Sequence, residues 1–137
     1  MYKILNKTYS KLPTEQMEQQ ELILWLKKNK YFFFSANNEN SHSFSNRQVA
    51  IKIEQKAKSM GKIKGVSDLC IFTNENILFI ELKRQKPMLK NGNLGKAKND
   101  ASKEQLDFIE KVSSYHYAKG YVVYGCDEAI KIISNYK

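Results

Sequence analysis

The chain alternates between stretches of helical and of extended hydrophobic period. Thr14 is placed to cap a helix running to about Asn29, with Glu15 in its first turn facing the positive end of the helix dipole. Leu22 to Leu26 spread apolar side chains around most of that helix, so its C-terminal half is expected to be buried. Glu18 shares a stripe with Leu22 and Trp25, and a carboxylate aimed at a core needs a partner. Tyr31 to Phe34 has strand character, and the Asn- and Ser-rich residues Ser35 to Ser45 read as a loop. A second helix is predicted over about Asn46 to Ser59, where Val49, Ile53 and Ala57 keep a helical period. Arg47, Lys52, Lys56 and Lys58 there outnumber the single acid Glu54.

At the centre of the chain, Val66 to Phe72 and Ile77 to Leu82 are apolar runs flanking Thr73-Asn74-Glu75-Asn76, the pattern of a β-hairpin. Both runs are apolar on both faces, which predicts a sheet covered on each side in an α/β fold. Arg84 to Ala101 carries Gly92, Gly95, four lysines and three asparagines and reads as a mobile loop. Ser102 with Gln105 has the spacing of a capping box, followed by a helix whose inward residues are predicted to be Leu106, Ile109 and Val112 or Ser113. Gly120 is expected to end that region, Tyr121 to Tyr124 to form a buried strand, and Asp127 to Tyr136 a last helix.

A length of 137 residues fits one domain, spanning 1–137, and 42% hydrophobic residues with 12% aromatics supply a core. Lys and Arg total 23 against 14 Asp and Glu, a formal charge of +9 that favours a polyanionic partner. No apolar run approaches the ~18 residues of a membrane span, and Met1 to Ser10 lacks the apolar region of a secretory signal, so a soluble cytoplasmic protein is expected. Cys70 and Cys126 lie in apolar surroundings without CxxC spacing, which predicts reduced core cysteines. His42 and His116 are too few and too isolated for a histidine metal centre.

Within the hairpin the charged residues are Asp68, Glu81 and Lys83. Glu81 and Lys83, two apart, share a face. If Asn74 and Glu75 make a two-residue turn, Asp68 lies directly opposite Glu81. Cross-strand Cβ atoms are then ~4.5–5.5 Å apart, and two carboxylates so close need a proton or a cation between them. Carboxylate oxygens suit Mg²⁺ or Mn²⁺, and a neighbouring lysine can orient or deprotonate a water and offset charge on a phosphate. The competing reading is a buried ion pair between Lys83 and one carboxylate.

These residues carry a family resemblance. Gly65-Val66-Ser67-Asp68-Leu69, Phe79-Ile80-Glu81-Leu82-Lys83-Arg84 and Ser102-Lys103-Glu104-Gln105, with Glu15-Gln16-Met17-Glu18-Gln19 ahead of Trp25, resemble the VRR-NUC branch of the PD-(D/E)xK nucleases over nearly the whole chain. The motifs are specific in combination and weak singly. The resemblance implies a restriction-endonuclease-like α/β fold, a central mixed sheet flanked by helices, and hydrolysis of DNA phosphodiesters with Mg²⁺ or Mn²⁺. It assigns Asp68, Glu81 and the Leu82 carbonyl to the metal and Lys83 to catalysis. Glu18 would complete the metal site and Gln105 lie beside it; Glu15 and Glu21 compete with Glu18. Ser67 stands where the family has proline, and the lysine-rich insertion after Arg84 exceeds the family's usual link.

DNA is the expected partner. Arg84, Lys86, Lys90, Lys96 and Lys98 follow the catalytic strand, placed to grip phosphates, with Arg47, Lys52, Lys56 and Lys64 as an opposite wall and Asn38 near the backbone. So lysine-rich a set predicts preference for DNA shape over sequence. The resemblance extends to enzymes that cut branched, flapped or Holliday-junction DNA, often as homodimers. The alternatives are a binding module without turnover and a nuclease subunit that needs a partner. The Lys-, Asn- and Ile-rich composition suggests a phage or mobile element.

Overall fold

The hairpin at the centre of the chain sets the rest of the architecture. In the computed structural model, which describes residues 1–36 and 46–136, β4 (Leu69–Phe72) and β5 (Ile77–Lys83) pair antiparallel from Phe72↔Ile77 to Leu69↔Ile80. Thr73 N donates to the Asn76 carbonyl at 2.8 Å and Thr73 Oγ1 accepts from Asn76 N at 3.0 Å, so Asn74 and Glu75 form the two-residue turn. The ladder stops at Leu69, and Asp68 sits one residue beyond it, in register with Glu81. β3 (Phe32–Ser35) extends the sheet antiparallel on β4, and β6 (Ala118–Tyr124) joins β5 in parallel, giving the mixed order β3-β4-β5-β6. The parallel step is made by helix α3 (Lys103–Ser113), as such connections require.

Strand alternation on β5 sorts the two layers. Leu78, Ile80 and Leu82 are fully buried in one core with Leu22 and Leu26 of α1 (Glu15–Lys28) and Ala129 and Ile133 of α4 (Cys126–Ile133). Phe79, Glu81 and Lys83 point the other way; Phe79 meets Phe108 of α3 edge-on, ring centroids 5.3 Å apart. The chemistry therefore lies on the α3 side of a sheet whose other face is plain apolar core. Cys70 and Cys126 are buried free thiols, and burial pushes them up to about 11 and about 12 respectively.

Several expectations need correction. Gly120 lies inside β6 instead of ending an element, because a Cβ there would come within 3.1 Å of Ile109 Cα: the glycine lets α3 close onto the strand. Leu106 is 51% exposed, the inward face of α3 being Phe108, Ile109 and Val112 with Gln105. Helix α2 (Arg47–Ser59) forms where its period predicts, but none of its residues is buried and Val49 and Ile53 face solvent. The 84–101 segment contains a short hydrogen-bonded hairpin: Met88 bridges Leu94, Leu89 N donates to the Asn93 carbonyl at 2.8 Å and Gly95 N to the Pro87 carbonyl at 2.7 Å. A further hairpin, β1 (Tyr2–Ile4) with β2 (Lys7–Tyr9), turns at Leu5, whose φ of 55° is left-handed, and Leu5 N donates to Asp127 Oδ1 of α4 at 2.7 Å. Residues 37 to 45, with Asn38 and His42, lie outside the described residues. No helix among the described residues is long and apolar enough to cross a membrane.

Candidate active site

Gly65 starts the site. Its φ is +84°, and a Cβ on it would sit 2.3 Å from the carbonyl carbon and oxygen of Glu104, so only glycine lets the chain lie flat on the first turn of α3. Three residues later the Asp68 carbonyl accepts from Ala36 N at 3.0 Å and Ser35 Oγ at 3.2 Å, while its Oδ2 accepts from Leu82 N at 3.0 Å. Asp68 is thereby tied by main chain to β3 and by side chain to β5.

Glu81, 2% exposed, faces it. Burial first, then the Asp68 charge and a hydrogen bond between the two carboxyls, push the Glu81 carboxyl up to about 8, with Lys83 pulling the other way. Glu81 Oε2 lies 3.4 Å from Lys83 Nζ, whereas the buried Oε1 has no hydrogen-bond partner. Lys83 Nζ also donates to Gln105 Oε1 at 3.3 Å. That same amide oxygen accepts from Ser102 N at 2.8 Å, completing the capping box of α3. One atom thus serves both the helix cap and the lysine.

The ion-pair reading of Lys83 is realised in part, yet it leaves an unpartnered buried Glu81 oxygen and two facing carboxyls whose charges disfavour each other. Hard oxygen donors in that arrangement fit a divalent cation. Among the described residues no group of three His, Cys, Asp or Glu is set to hold a metal, so Asp68 and Glu81 would be its only carboxylates. Mg²⁺ is held that way elsewhere, by one or two carboxylates with waters and substrate phosphates filling its shell.

Glu18 does not join this group. It is fully buried, and its Oε1 accepts from Cys126 N at 3.0 Å and its Oε2 from Gln85 Nε2 at 2.8 Å. The carboxylate caps α4, whose N-cap Gly125 has no side chain to do so. Half-buried Glu15 instead feels the site: burial and then the Asp68 charge raise its pKa, with Lys83 and Arg84 opposing. Arg84 points inward, its Nε donating to the Pro13 carbonyl at 2.8 Å and its Nη2 to the Leu12 carbonyl at 3.0 Å, which fixes the start of α1 beside Glu15. Lys86 lies over the Tyr124 ring, 4.7 Å from its centroid, and exposed Lys64 pairs with Glu54. Arg47, Lys52 and Lys56 are exposed on α2, and Lys90, Lys96 and Lys98 are exposed in the segment after β5. Arg84's clamp and Gln85's link to Glu18 escaped sequence reasoning, since charge alone does not show which way an arginine turns.

Arg84→Lys keeps the charge and loses the two-pronged bond to Leu12 and Pro13. It is expected to cost roughly 1–2 kcal/mol in thermal unfolding and to speed amide exchange at the start of α1. An arginine devoted to phosphates would leave both unchanged and weaken only DNA binding.

Neither a family model nor a curated protein matches the chain. Among solved structures it is similar to a VRR_NUC domain protein, with 21% sequence identity and a TM-score of 0.65 over 92% of this chain and 89% of that one. The chain has the fold of a VRR_NUC domain: a mixed four-stranded sheet flanked by helices, as the motifs around Asp68, Glu81 and Lys83 implied.

Proposed function

We propose that this protein is an endonuclease that hydrolyses DNA phosphodiester bonds with Mg²⁺ or Mn²⁺ held by Asp68 and Glu81, the Leu82 carbonyl adding a further oxygen. The observation that carries the reading is the Asp68–Glu81 carboxyl pair, one buried oxygen unpartnered, beside a buried lysine. When bound, the cation supplies Lewis-acid stabilisation of charge on the phosphate. The protein's own groups do the rest. Glu81 must release its proton for both carboxylates to act as ligands. Lys83, steadied by Glu81 Oε2 and Gln105 Oε1, has a third N–H to direct at a phosphate oxygen or at the attacking water. Glu15 is the first-helix acid beside the site in this reading and not a metal ligand, Glu18 being committed to α4.

The test incubates purified protein with linear, flapped and four-way DNA in Mg²⁺, Mn²⁺ or EDTA, beside Asp68→Asn. Cleavage is expected with either metal, none in EDTA, and a loss of roughly 10³-fold in the variant, the several kcal/mol that a misplaced cation would withdraw. If both proteins leave every substrate intact while both retard DNA on a gel, the protein is a binding module.

A further inference from the structure

The insertion between β5 and α3 is a designed element rather than a slack connection. Gly92 N donates to the Leu89 carbonyl at 3.0 Å and Leu89 N to the Asn93 carbonyl at 2.8 Å, with Gly92 at φ +85°. That is a three-residue hairpin loop closed by a left-handed glycine. Its root is fixed: Met88 N donates to the Tyr2 hydroxyl at 2.9 Å, Lys86 lies over the Tyr124 ring, and the Tyr124 hydroxyl donates to Asp100 Oδ1 at 3.1 Å. The two ends of the insertion enter the site itself, because Lys83 before it and Gln105 after it share a hydrogen bond.

The tip has an unusual surface. Met88 and Leu94 pair across the hairpin and so lie on one face, 43% and 66% exposed; Leu89 lies on the other with Gly95, 49% exposed. Three large apolar side chains on both faces of a two-stranded pin have no structural need to meet water. Around them Lys90, Lys96 and Lys98 are exposed, and the nearby acid Asp100 is engaged by Tyr124.

We propose that this hairpin is a strand-separating pin for branched DNA: Leu89 on one face and Met88 with Leu94 on the other stack on the bases that part at a fork, while Lys90, Lys96 and Lys98 hold the diverging phosphates. Apolar wedges that unstack base steps, flanked by cations on the backbone, are an established way of binding distorted duplex, and lysine charge complements that partner and not an acyl chain or an acidic-poor protein face. The inference rests on the proposed action on DNA and gives the hairpin its own part in it.

The test uses the full chain in EDTA, so that no cleavage intervenes, with a forked duplex carrying 2-aminopurine at the branch and a blunt duplex of the same sequence. Wild type should raise the 2-aminopurine fluorescence and bind the fork roughly tenfold more tightly than the blunt duplex, a difference of about 1.4 kcal/mol. Leu89→Ser with Leu94→Ser should abolish the fluorescence rise and the fork preference, leaving blunt-duplex affinity, its salt dependence and the circular dichroism spectrum unchanged. Lys90→Gln with Lys96→Gln and Lys98→Gln should weaken both duplexes and reduce the salt slope by about two to three. Equal fork preference and fluorescence in the leucine variant would overturn the pin. Wild type that unstacks the fork in EDTA but cuts nothing in Mg²⁺ would remove the nuclease reading and leave the pin standing.

Discussion

Glu81→Gln should make the metal-free protein more stable at pH 8 while abolishing cleavage. Glu81 is 2% exposed and faces Asp68, so its charged form is disfavoured in the folded state, whose carboxyl is pushed up to about 8 from the ordinary 4.5. Between those values the folded protein keeps a proton that the unfolded chain has released, and stability falls as pH rises through the window. Glutamine presents the same shape without the charge and still accepts from Lys83. The variant should therefore lack the decline and melt several degrees above wild type at pH 8, about 1 kcal/mol or more. Below pH 4 the two should converge. Mg²⁺ should raise the melting temperature of wild type and leave the variant's where it was. A flat wild-type profile from pH 5 to 8 would contradict the carboxyl pair.

Gly65→Ala should be the most damaging single methyl in the protein. Gly65 and Gly61 both have left-handed φ, +84° and +91°, but a Cβ on Gly61 meets nothing within 4 Å, whereas on Gly65 it meets the Glu104 backbone at 2.3 Å. Gly61→Ala thus measures the backbone strain alone, about 1 kcal/mol. Gly65→Ala adds the displacement of a helix start that has no soft side chain to move, bringing the cost to roughly 3 kcal/mol or more and the melting temperature down by about 10 °C. Because that helix start carries Gln105, the variant should lose cleavage even at temperatures where it remains folded. Equal melting of the two alanine variants would show that the entry turn does not rest on α3.

Local rules made much of this legible. Thr14, Asn46 and Ser102 cap their helices as their residue types predict, and the two-residue turn at Asn74-Glu75 sets the register that brings Asp68 opposite Glu81. What escaped was tertiary. The β1–β2 hairpin turns on Leu5, a residue no turn rule selects, and is held there by Asp127 more than a hundred positions away. Glu18 had the right periodicity for a buried acid, but periodicity does not say whether a buried carboxylate meets a metal or a helix terminus; an uncapped glycine at position 125 decided it. Ala118 to Gly120 lacks strand composition and becomes strand because β5 offers it a parallel edge and α3 covers it.

The hydrogen bond from Lys83 to Gln105 also separates two things that evolution can change. The stretch from Lys86 to Ala101 is a loop whose flanks are already joined, so lengthening it costs only the slow logarithmic growth of loop entropy, about 0.6 kcal/mol per doubling. Asp68, Glu81, Lys83 and Gln105 lie outside that stretch, and so do Arg84 and Gln85, which hold the start of α1 and Glu18. Descendants of this chain could exchange the whole hairpin, and with it the surface presented beside the site, without moving the Asp68, Glu81 and Lys83 group.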